Sequence, residues 1–430
     1  MSTLLKNCLL VTLDPPSAGD GDLRIGGGSI TERGRSLTAA RGEETVDLGG
    51  KVVIPGLVCS HTHLYSSLVR GMDPPKRKPQ GFQQILRRIW WKLDRALDEE
   101  AVYYSALAGA LESLKCGTTL LIDHHSSPNA IAGSLDIVRE AVAEAGLRGV
   151  LCYEVTDRGG KKQRDAGLDE NRRFIAAAEG DSRFRGLVGA HASLTLGKAS
   201  LEACGRLASA SGTGVHMHVA EDVSDVLDAR RRSGTGLVRR LEIAGIPLGG
   251  SVFAHCVHLR AEEFRSLGEG GAWLIHNPRS NMNNGVGHAP VQLFPGRSAL
   301  GTDGFPADMF EEARAGFFRA QENAPPGAGK IAGMIDGGWK LAASIFGIPF
   351  GSLSGGDAAD LTVLDYKAPT PVSPANIVQH FLFGFGSSSV ESVMVGGKWV
   401  LWNRTHLMMD EQAVMTRAQK VARRLWKELD

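Results

Sequence analysis

Residues 55–63 read PGLVCSHTH and decide the fold of this chain, because they join an apolar strand to two histidines at its end. Side chains two apart on a strand point to the same side, so His61 and His63 can bind one ligand. A His-x-His pair occurs by chance in many proteins, but here it follows a Pro-Gly turn and a short apolar run. We therefore expect the first strand of a larger β/α region to end at this motif.

Seven further strand candidates follow this one, and most are separated by stretches with helical periodicity. With the first strand at residues 56–60, they lie at residues 118–123, 149–155, 186–191, 214–220, 252–257, 272–276 and 299–302. Eight β/α repeats are what a (β/α)8 TIM barrel requires, with its active site at the carboxyl ends of the strands. A doubly wound open sheet is the alternative, but no Gly-x-Gly-x-x-Gly motif follows any strand. The sequence therefore predicts an α/β fold with a TIM barrel.

The two ends of the chain have a different texture, with short strands broken by Gly and Pro. We expect both ends to build one small β-sandwich, in which Gly396 and Gly397 form a hairpin turn. The amphipathic stretch at residues 411–429 predicts a surface helix held by Val414, Val421 and Leu425. The predicted units are a first sandwich part, the metal-dependent barrel, a second sandwich part and a C-terminal helix, at residues 1–55, 56–350, 351–405 and 406–430.

The composition limits the class of partner. The chain of 430 residues has 48 Lys and Arg against 47 Asp and Glu, and this near-neutral balance disfavours nucleic acid or a membrane surface as partner. Its six cysteines form no Cys-x-x-Cys pair, and no apolar run approaches the ~18 residues of a membrane span. We expect a cytoplasmic protein with a small-molecule partner. A basic cluster at residues 76–78 and 87–88 is either a solvated surface or an anion-attracting rim over the active site.

Three other predicted strands end in groups that can act with the first histidine pair. Residues 216–221 read HMHVAE, which places His218 nearer the open end of the barrel than His216 and puts Glu221 just beyond the strand. Asp303 follows the eighth strand between glycines, and His255 ends the sixth. Three imidazoles and one carboxylate are a typical ligand set for Zn²⁺ or Fe²⁺. We therefore predict a metal site formed by His61, His63, His218 and Asp303.

Further polar and aromatic groups lie at strand ends or in the connection after the first strand. We predict that five of them contact a flat heterocyclic substrate, namely His125, His191, His276, Asn281 and Trp90.

The motifs PGLVCSHTHL, HMHVAE, VFAHC and LGTDG resemble the strand ends of the amidohydrolase superfamily, in its cytosine-deaminase-like and atrazine-chlorohydrolase-like branch. Longer phrases such as WWKLDRALDEE, HNPRSNMNN and GTDGFPADMFEE resemble aminohydrolases of that branch over nearly the whole chain. The resemblance implies a homodimer, in which Glu221 is the acid/base and His255 and Asp303 hold the attacking hydroxide. Relatives with two metals use a Lys at strand three or four, which this sequence lacks, so one divalent metal is expected, most simply zinc, with iron as the alternative.

The reaction implied is hydrolytic removal of an exocyclic amino group from a purine-like or pyrimidine-like ring, which a metal-activated water attacks. Two other outcomes stay open at this point. The same centre could open a cyclic amidine or amide ring or remove chloride, in which case no ammonia would be released. The protein could also be a catalytically silent metal-binding scaffold, but such a scaffold would not need Glu221, His255 and Asp303 together.

Overall fold

The structure is a computed structural model that describes residues 2–322 and 327–429. Five strands open the chain, and apolar side chains of the first and last of them are buried in continuous runs. They are β1 (Ser2–Leu13), β2 (Pro16–Gly26), β3 (Ser29–Gly34), β4 (Glu44–Asp47) and β5 (Val52–Pro55).

Nine buried strands follow in the centre of the chain. They are β6 (Leu57–Thr62), β7 (Thr118–His125), β8 (Arg148–Tyr153), β9 (Phe184–Gly186), β10 (Val188–Ala192), β11 (Val215–Val219), β12 (Val252–His255), β13 (Trp273–His276) and β14 (Ser298–Leu300). All eight predicted strands are present, but the fourth is split, because β9 pairs with β8 while β10 pairs with β11. The strands form two parallel sheets, β6-β7-β8-β9 and β10-β11-β12-β13-β14. Isolated parallel bridges join Thr62 to Asp303 and Val155 to Ala190, one at each junction between the sheets.

Helices lie between these strands and cover their outer faces, which explains why the strands are buried on both sides. A 3-10 helix (Leu64–Val69) follows β6, and a π-helical turn (Leu86–Trp90) lies between the first two α-helices. The α-helices are α1 (Phe82–Ile85), α2 (Trp91–Ala96), α3 (Glu99–Lys115), α4 (Ser134–Glu144), α5 (Gly160–Ala177), α6 (Lys198–Ala210), α7 (Val223–Ser233), α8 (Leu237–Ile243), α9 (Ala261–Glu269), α10 (Pro278–Asn284), α11 (Met309–Gln321), α12 (Ala328–Phe346), α13 (Ile377–Phe383) and α14 (Glu411–Leu429).

The last four strands complete the sheet that β1 begins. They are β15 (Leu361–Leu364), β16 (Val390–Val395), β17 (Lys398–Trp402) and β18 (Thr405–His406). The antiparallel pairing of β5 with β15 joins both chain ends in one nine-stranded sheet with its own apolar core. The contribution of both ends and the hairpin turn at Gly396 and Gly397, which have φ of 56° and 76°, are confirmed. The two-layered sandwich stays a prediction, since the strands form a single hydrogen-bonded sheet.

Helix α14 confirms the prediction for the end of the chain. Its residues Val421 and Leu425 are buried, and Val414 is partly buried against the main core. Among the residues that the structure describes, no helix is long and apolar enough to cross a membrane.

Candidate metal and catalytic site

The four predicted ligands come together at the carboxyl ends of β6, β11 and β14. Asp303 Oδ1 lies 2.9 Å from His63 Nε2 and 3.6 Å from His61 Nε2, and the Nε2 atoms of His63 and His218 lie 3.0 Å apart. Two ligand atoms that are each about 2.0–2.2 Å from one cation are roughly 3.0–3.7 Å from each other at usual coordination angles. The separations therefore fit a single shared cation.

The hydrogen bonds of the imidazoles determine which ring nitrogen is available to a metal. His63 Nδ1 donates to the carbonyl oxygen of His124 at 2.6 Å, and His218 Nδ1 donates to that of His191 at 2.8 Å. Each Nε2 atom is therefore the one that faces the other ligands and can bind a cation; burial lowers the pKa of His218 well below its ordinary value, whereas Asp303 raises that of His63 to about 9 despite burial. Two lone pairs 3.0 Å apart repel each other unless a proton or cation lies between them. The buried Nε2 atom of His61 also has no hydrogen-bond partner within the described residues, so this donor set fits a divalent metal.

His216 lies behind His61, in the supporting position that the sequence predicts. The two rings meet through His61 Nδ1 and His216 Nε2 at 2.8 Å, and His216 Nδ1 is 3.6 Å from the thiol of Cys152. That thiol donates to the carbonyl oxygen of Asp123 at 3.5 Å. If His61 Nε2 is left for a metal, then His61 donates to His216, and His216 donates to the sulfur of Cys152. One arrangement of protons therefore satisfies this whole series of hydrogen bonds.

Backbone strain is concentrated where the functional side chains leave their strands. Ala220, His255 and Asp303 have φ of 50°, 73° and 54°, which side chains other than glycine rarely adopt. Ser280 Oγ donates to Asp303 Oδ2 and fixes the carboxylate. Burial alone would raise the pKa of Asp303, but the adjacent imidazoles of His61 and His63 hold it well below its usual range, so Asp303 is an anion.

Glu221 and His255 lie beside the same centre and form a cluster with Asp303. Glu221 Oε2 is 3.7 Å from His255 Nε2, and Asn284 donates to Glu221 Oε1 at 3.3 Å. His255 Nδ1 donates to Asn281 Oδ1 at 2.8 Å, so the buried Nε2 keeps a lone pair, which has no partner among residues 2–322 and 327–429. Burial and the charge of Asp303 raise the pKa of Glu221 well above its ordinary value. Glu221 can therefore stay protonated at a pH at which Asp303 is ionised.

A cavity opens over these groups. His191 and Trp90, two of the five predicted substrate contacts, line it together with Phe82, Leu86 and Trp91. The apolar side chains come from the segment between the 3-10 helix and α3 and cover one side of the site. This wall supplies flat surfaces for a ring and excludes water from the reacting groups.

The other three predicted substrate contacts do not line the cavity within the described residues. His125 is buried behind its wall and pairs with Ser127 Oγ at 2.8 Å, while Asn281 is occupied by His255. His276 is buried against Phe294, and neither ring nitrogen has a hydrogen-bond partner in the described part of the chain. The prediction of direct contact is corrected for these residues, because a strand-end position alone does not decide whether a side chain reaches the cavity.

Sequence reasoning missed a buried acidic cluster in the cavity wall, formed by Asp94 and Glu154 with Arg158 between them. Arg158 Nη1 lies 3.0 Å from Asp94 Oδ2, its Nη2 pairs with Glu154, and its guanidinium stacks 5.0 Å from the ring of Trp91. Asp94 Oδ1 is buried without a partner in the residues described. Glu154 follows β8 directly, so the strand-end argument could have found it, whereas no sequence pattern links Asp94 to this place.

Comparisons with known proteins agree with this geometry. The sequence profile of the Amidohydrolase family matches residues 52–400. A 5'-deoxyadenosine deaminase of Methanosarcina mazei is 30% identical, and the alignment covers 98% of each chain. A 5-methylthioadenosine/S-adenosylhomocysteine deaminase of Pelotomaculum thermopropionicum is 31% identical, again over 98% of each.

Two solved structures share the fold. An adenosine deaminase from Xanthomonas campestris with bound zinc has a TM-score of 0.86 at 22% identity, covering 99% of this chain and 98% of that one. The atrazine chlorohydrolase TrzN from Arthrobacter aurescens, complexed with zinc, has a TM-score of 0.82 at 20% identity, covering 98% and 100%.

Proposed function

Because this chain belongs to the amidohydrolase family, we propose that it deaminates an adenine-type nucleoside, with 5'-deoxyadenosine and methylthioadenosine as the first substrates to test. In broader terms the protein is a metal-dependent hydrolase that acts on a carbon–nitrogen bond of a nitrogen heterocycle. The nucleoside is the specific part of the proposal. It rests on the relatives and on the chemistry of the cavity wall.

The unpaired Asp94 Oδ1 is the observation that carries the nucleoside. In the acidic cluster, the carboxylates of Asp94 and Glu154 share the one guanidinium of Arg158. The wall of the cavity therefore carries a net negative charge and a free hydrogen-bond acceptor. Vicinal hydroxyl groups of a ribose donate to such a carboxylate. A phosphate would instead meet the carboxylates of Asp94, Glu154, Asp222 and Asp225, which all line this cavity. The site therefore favours a nucleoside over a nucleotide.

The catalytic steps follow from the positions of the four candidate metal ligands, His255 and Glu221. His61, His63, His218 and Asp303 would hold one divalent cation, zinc in our proposal and iron as the alternative, and it would lower the pKa of a water from 15.7 to about 7. His255 Nε2 accepts a hydrogen bond from the attacking water, since its Nδ1 is tied to Asn281. Glu221 accepts the proton of that water and delivers it to a ring nitrogen, which makes the adjacent carbon electrophilic. The second proton of the same water passes through His255 and Asp303 to the amine, which leaves as ammonia when its bond to the ring carbon breaks.

Exchange of Glu221→Gln tests the catalytic assignment. The variant should keep its metal and lose at least 10²–10⁴-fold in kcat, because general acid–base transfer contributes about that much. The assay is ammonia release from 5'-deoxyadenosine, followed with the ultraviolet change of the purine. The exposed Glu269 on α9 is the matched control, and Glu269→Gln should retain full activity. Turnover by Glu221→Gln at the parental rate, or ring opening without ammonia, would contradict the proposal.

Three structural expectations belong to the same proposal. We propose that the two parallel sheets close into one (β/α)8 barrel over residues 56–350, which the two bridges at their junctions support. Residues 1–55 and 351–405 would then form the sandwich beside it, and residues 406–430 the C-terminal helical part.

We also propose that the enzyme is a cytoplasmic homodimer. All six cysteines are free, as a reducing compartment favours. Phe318 and Phe383 are 53% and 54% exposed and form one aromatic patch, which supports a contact between subunits. Sedimentation of the parent and of Phe318→Ser tests this, and a monomeric parent protein contradicts it.

A further inference from the structure

The basic cluster at residues 76–78 and 87–88 does not line the catalytic cavity. Its residues Lys76, Arg77 and Arg88 line a second cavity together with residues of α14, and we call this cavity the basic groove. Six cations and one carboxylate line it, namely Lys76, Arg77, Arg88, Lys92, Arg423, Lys427 and Asp73. The whole chain carries a formal charge of only +1, so this concentration of positive charge is local. Of the two sequence interpretations, the rim over the active site is therefore replaced by a separate groove.

The cations of the basic groove have no carboxylate within 4.0 Å in the described ranges, whereas some cations of nearby segments do. On another side of α14, Arg417 pairs with Glu100, and Arg424 pairs with Asp98 and Glu100. In the groove, Arg88 instead donates to the carbonyl oxygens of Arg77 and Lys78 at 3.3 and 3.2 Å. Lys92 donates to that of Leu429 at 3.1 Å. These bonds to carbonyl oxygens connect the walls but bring no negative charge to the cations.

We propose that the basic groove binds an oligophosphate anion, either free pyrophosphate or the phosphate chain of a nucleotide. Six cations along one groove exceed what one monovalent anion can neutralise, whereas linked phosphates bring two or more negative charges. Trp426 and Ile89 supply an apolar part of the wall, and Trp426 is fixed because its indole donates to the carbonyl of Leu68 at 2.7 Å. The groove is concave, which suits a small anion better than a flat lipid surface.

The same short segment separates the basic groove from the catalytic cavity. Its residues Arg88, Ile89 and Lys92 line the groove, while Leu86 and Trp90 line the cavity. These residues lie on or next to the π-helical turn, a type of distortion that frequently marks a functional position in a helix. An anion that holds Arg88 and Lys92 therefore also restrains the wall that covers the substrate, so the two sites are coupled.

Calorimetric titration of the full chain with pyrophosphate tests the binding directly. In the double variant Arg423→Gln/Lys427→Gln, the affinity for pyrophosphate should fall at least fivefold. Added salt should lower the affinity of the parent protein, since these two charges are exposed. The control Arg417→Gln/Arg424→Gln removes the same charge from the same helix and should change affinity less than twofold. Pyrophosphate should also raise the Tm of the parent protein. No heat of binding at millimolar pyrophosphate, or an equal loss in both variants, overturns the proposal.

Two further experiments identify the source of the phosphates and test the coupling between the basic groove and the catalytic cavity. ATP should compete with pyrophosphate, and capture by phosphatidylglycerol vesicles without pyrophosphate binding would overturn the assignment to a soluble anion. Saturating pyrophosphate should change KM for the nucleoside at least twofold, and an unchanged KM refutes the coupling. Because calorimetry needs no turnover, a chain that fails to deaminate any nucleoside still gives a decisive result for the groove.

Discussion

His216 should control how tightly His61 holds a metal. In His216→Leu the volume stays similar, but the acceptor for His61 Nδ1 at 2.8 Å is lost. A metal on Nε2 forces the proton onto Nδ1, where it would be buried without a partner at a cost of about 1–3 kcal/mol. In the metal-free protein, His61 avoids most of this cost by taking its other tautomer. At about 1.4 kcal/mol per tenfold, zinc affinity should therefore fall roughly 5–150-fold, in line with the ~10–100-fold typical of residues that support metal ligands.

Competition against a chromogenic chelator measures the zinc affinity of the folded protein and does not require that the protein is catalytically active. His216→Gln offers an amide oxygen to Nδ1 and should recover part of the affinity. Cys204→Ala, which removes a buried thiol on α6, is the matched control and should bind zinc as the parent does. If His216→Leu binds zinc within threefold of the parent, the hydrogen bond to His61 does not position the ligand, and the reasoning is refuted.

Three more outcomes are expected. Asp94→Asn should raise KM for 5'-deoxyadenosine about tenfold while leaving KM for its 2',3'-dideoxy analogue unchanged; steady-state kinetics on both substrates checks this, and equal changes would contradict a role in hydroxyl binding. Burial raises the pKa of Asp94 to about 7, so the carboxylate gains a proton as the pH falls through 7. KM for the nucleoside should therefore rise several-fold between pH 8 and pH 6, and a flat profile would exclude Asp94 as the ionising group. Removal of metal with a chelator should abolish ammonia release, and added zinc should restore it; full activity of metal-free protein would contradict the site.

The clustering of the four candidate metal ligands was predictable because they obey simple rules of strand geometry. The period of two places His61 and His63 on one side, and parallel strands bring their carboxyl ends to one edge, so His218 and Asp303 could be added without a structure. The residue order along β11 also separated His218 from the supporting His216.

The cavity wall was not predictable in the same way. Asp94 reaches Arg158 from a helix 64 residues earlier in the chain, and no periodicity links a helix to a loop after β8. His255 and His276 both end a strand in the sequence, yet one faces Glu221 and the other packs against Phe294. The difference lies in the backbone, since His255 has φ of 73° while the chain at His276 leaves β13 without such a turn. Sequence patterns give the direction of side chains within regular strands, and they lose it where the backbone leaves the regular conformation.

That loss of regularity is itself informative about the site. Glycine would relieve the positive φ at Ala220, His255 and Asp303, but glycine has no side chain to bind or catalyse. The sequence places glycine instead at Gly301, where an added Cβ would lie 2.7 Å from that of His61 and only 2.8 Å from its backbone nitrogen. Strand β14 can therefore approach β6 closely, and Asp303 turns through a strained conformation, which costs about 1–3 kcal/mol, to reach His61 and His63. A strained backbone at Asp303, two residues after a glycine that permits the close approach of β14 to β6, is what selection for a precise site predicts and what selection for stability alone would remove.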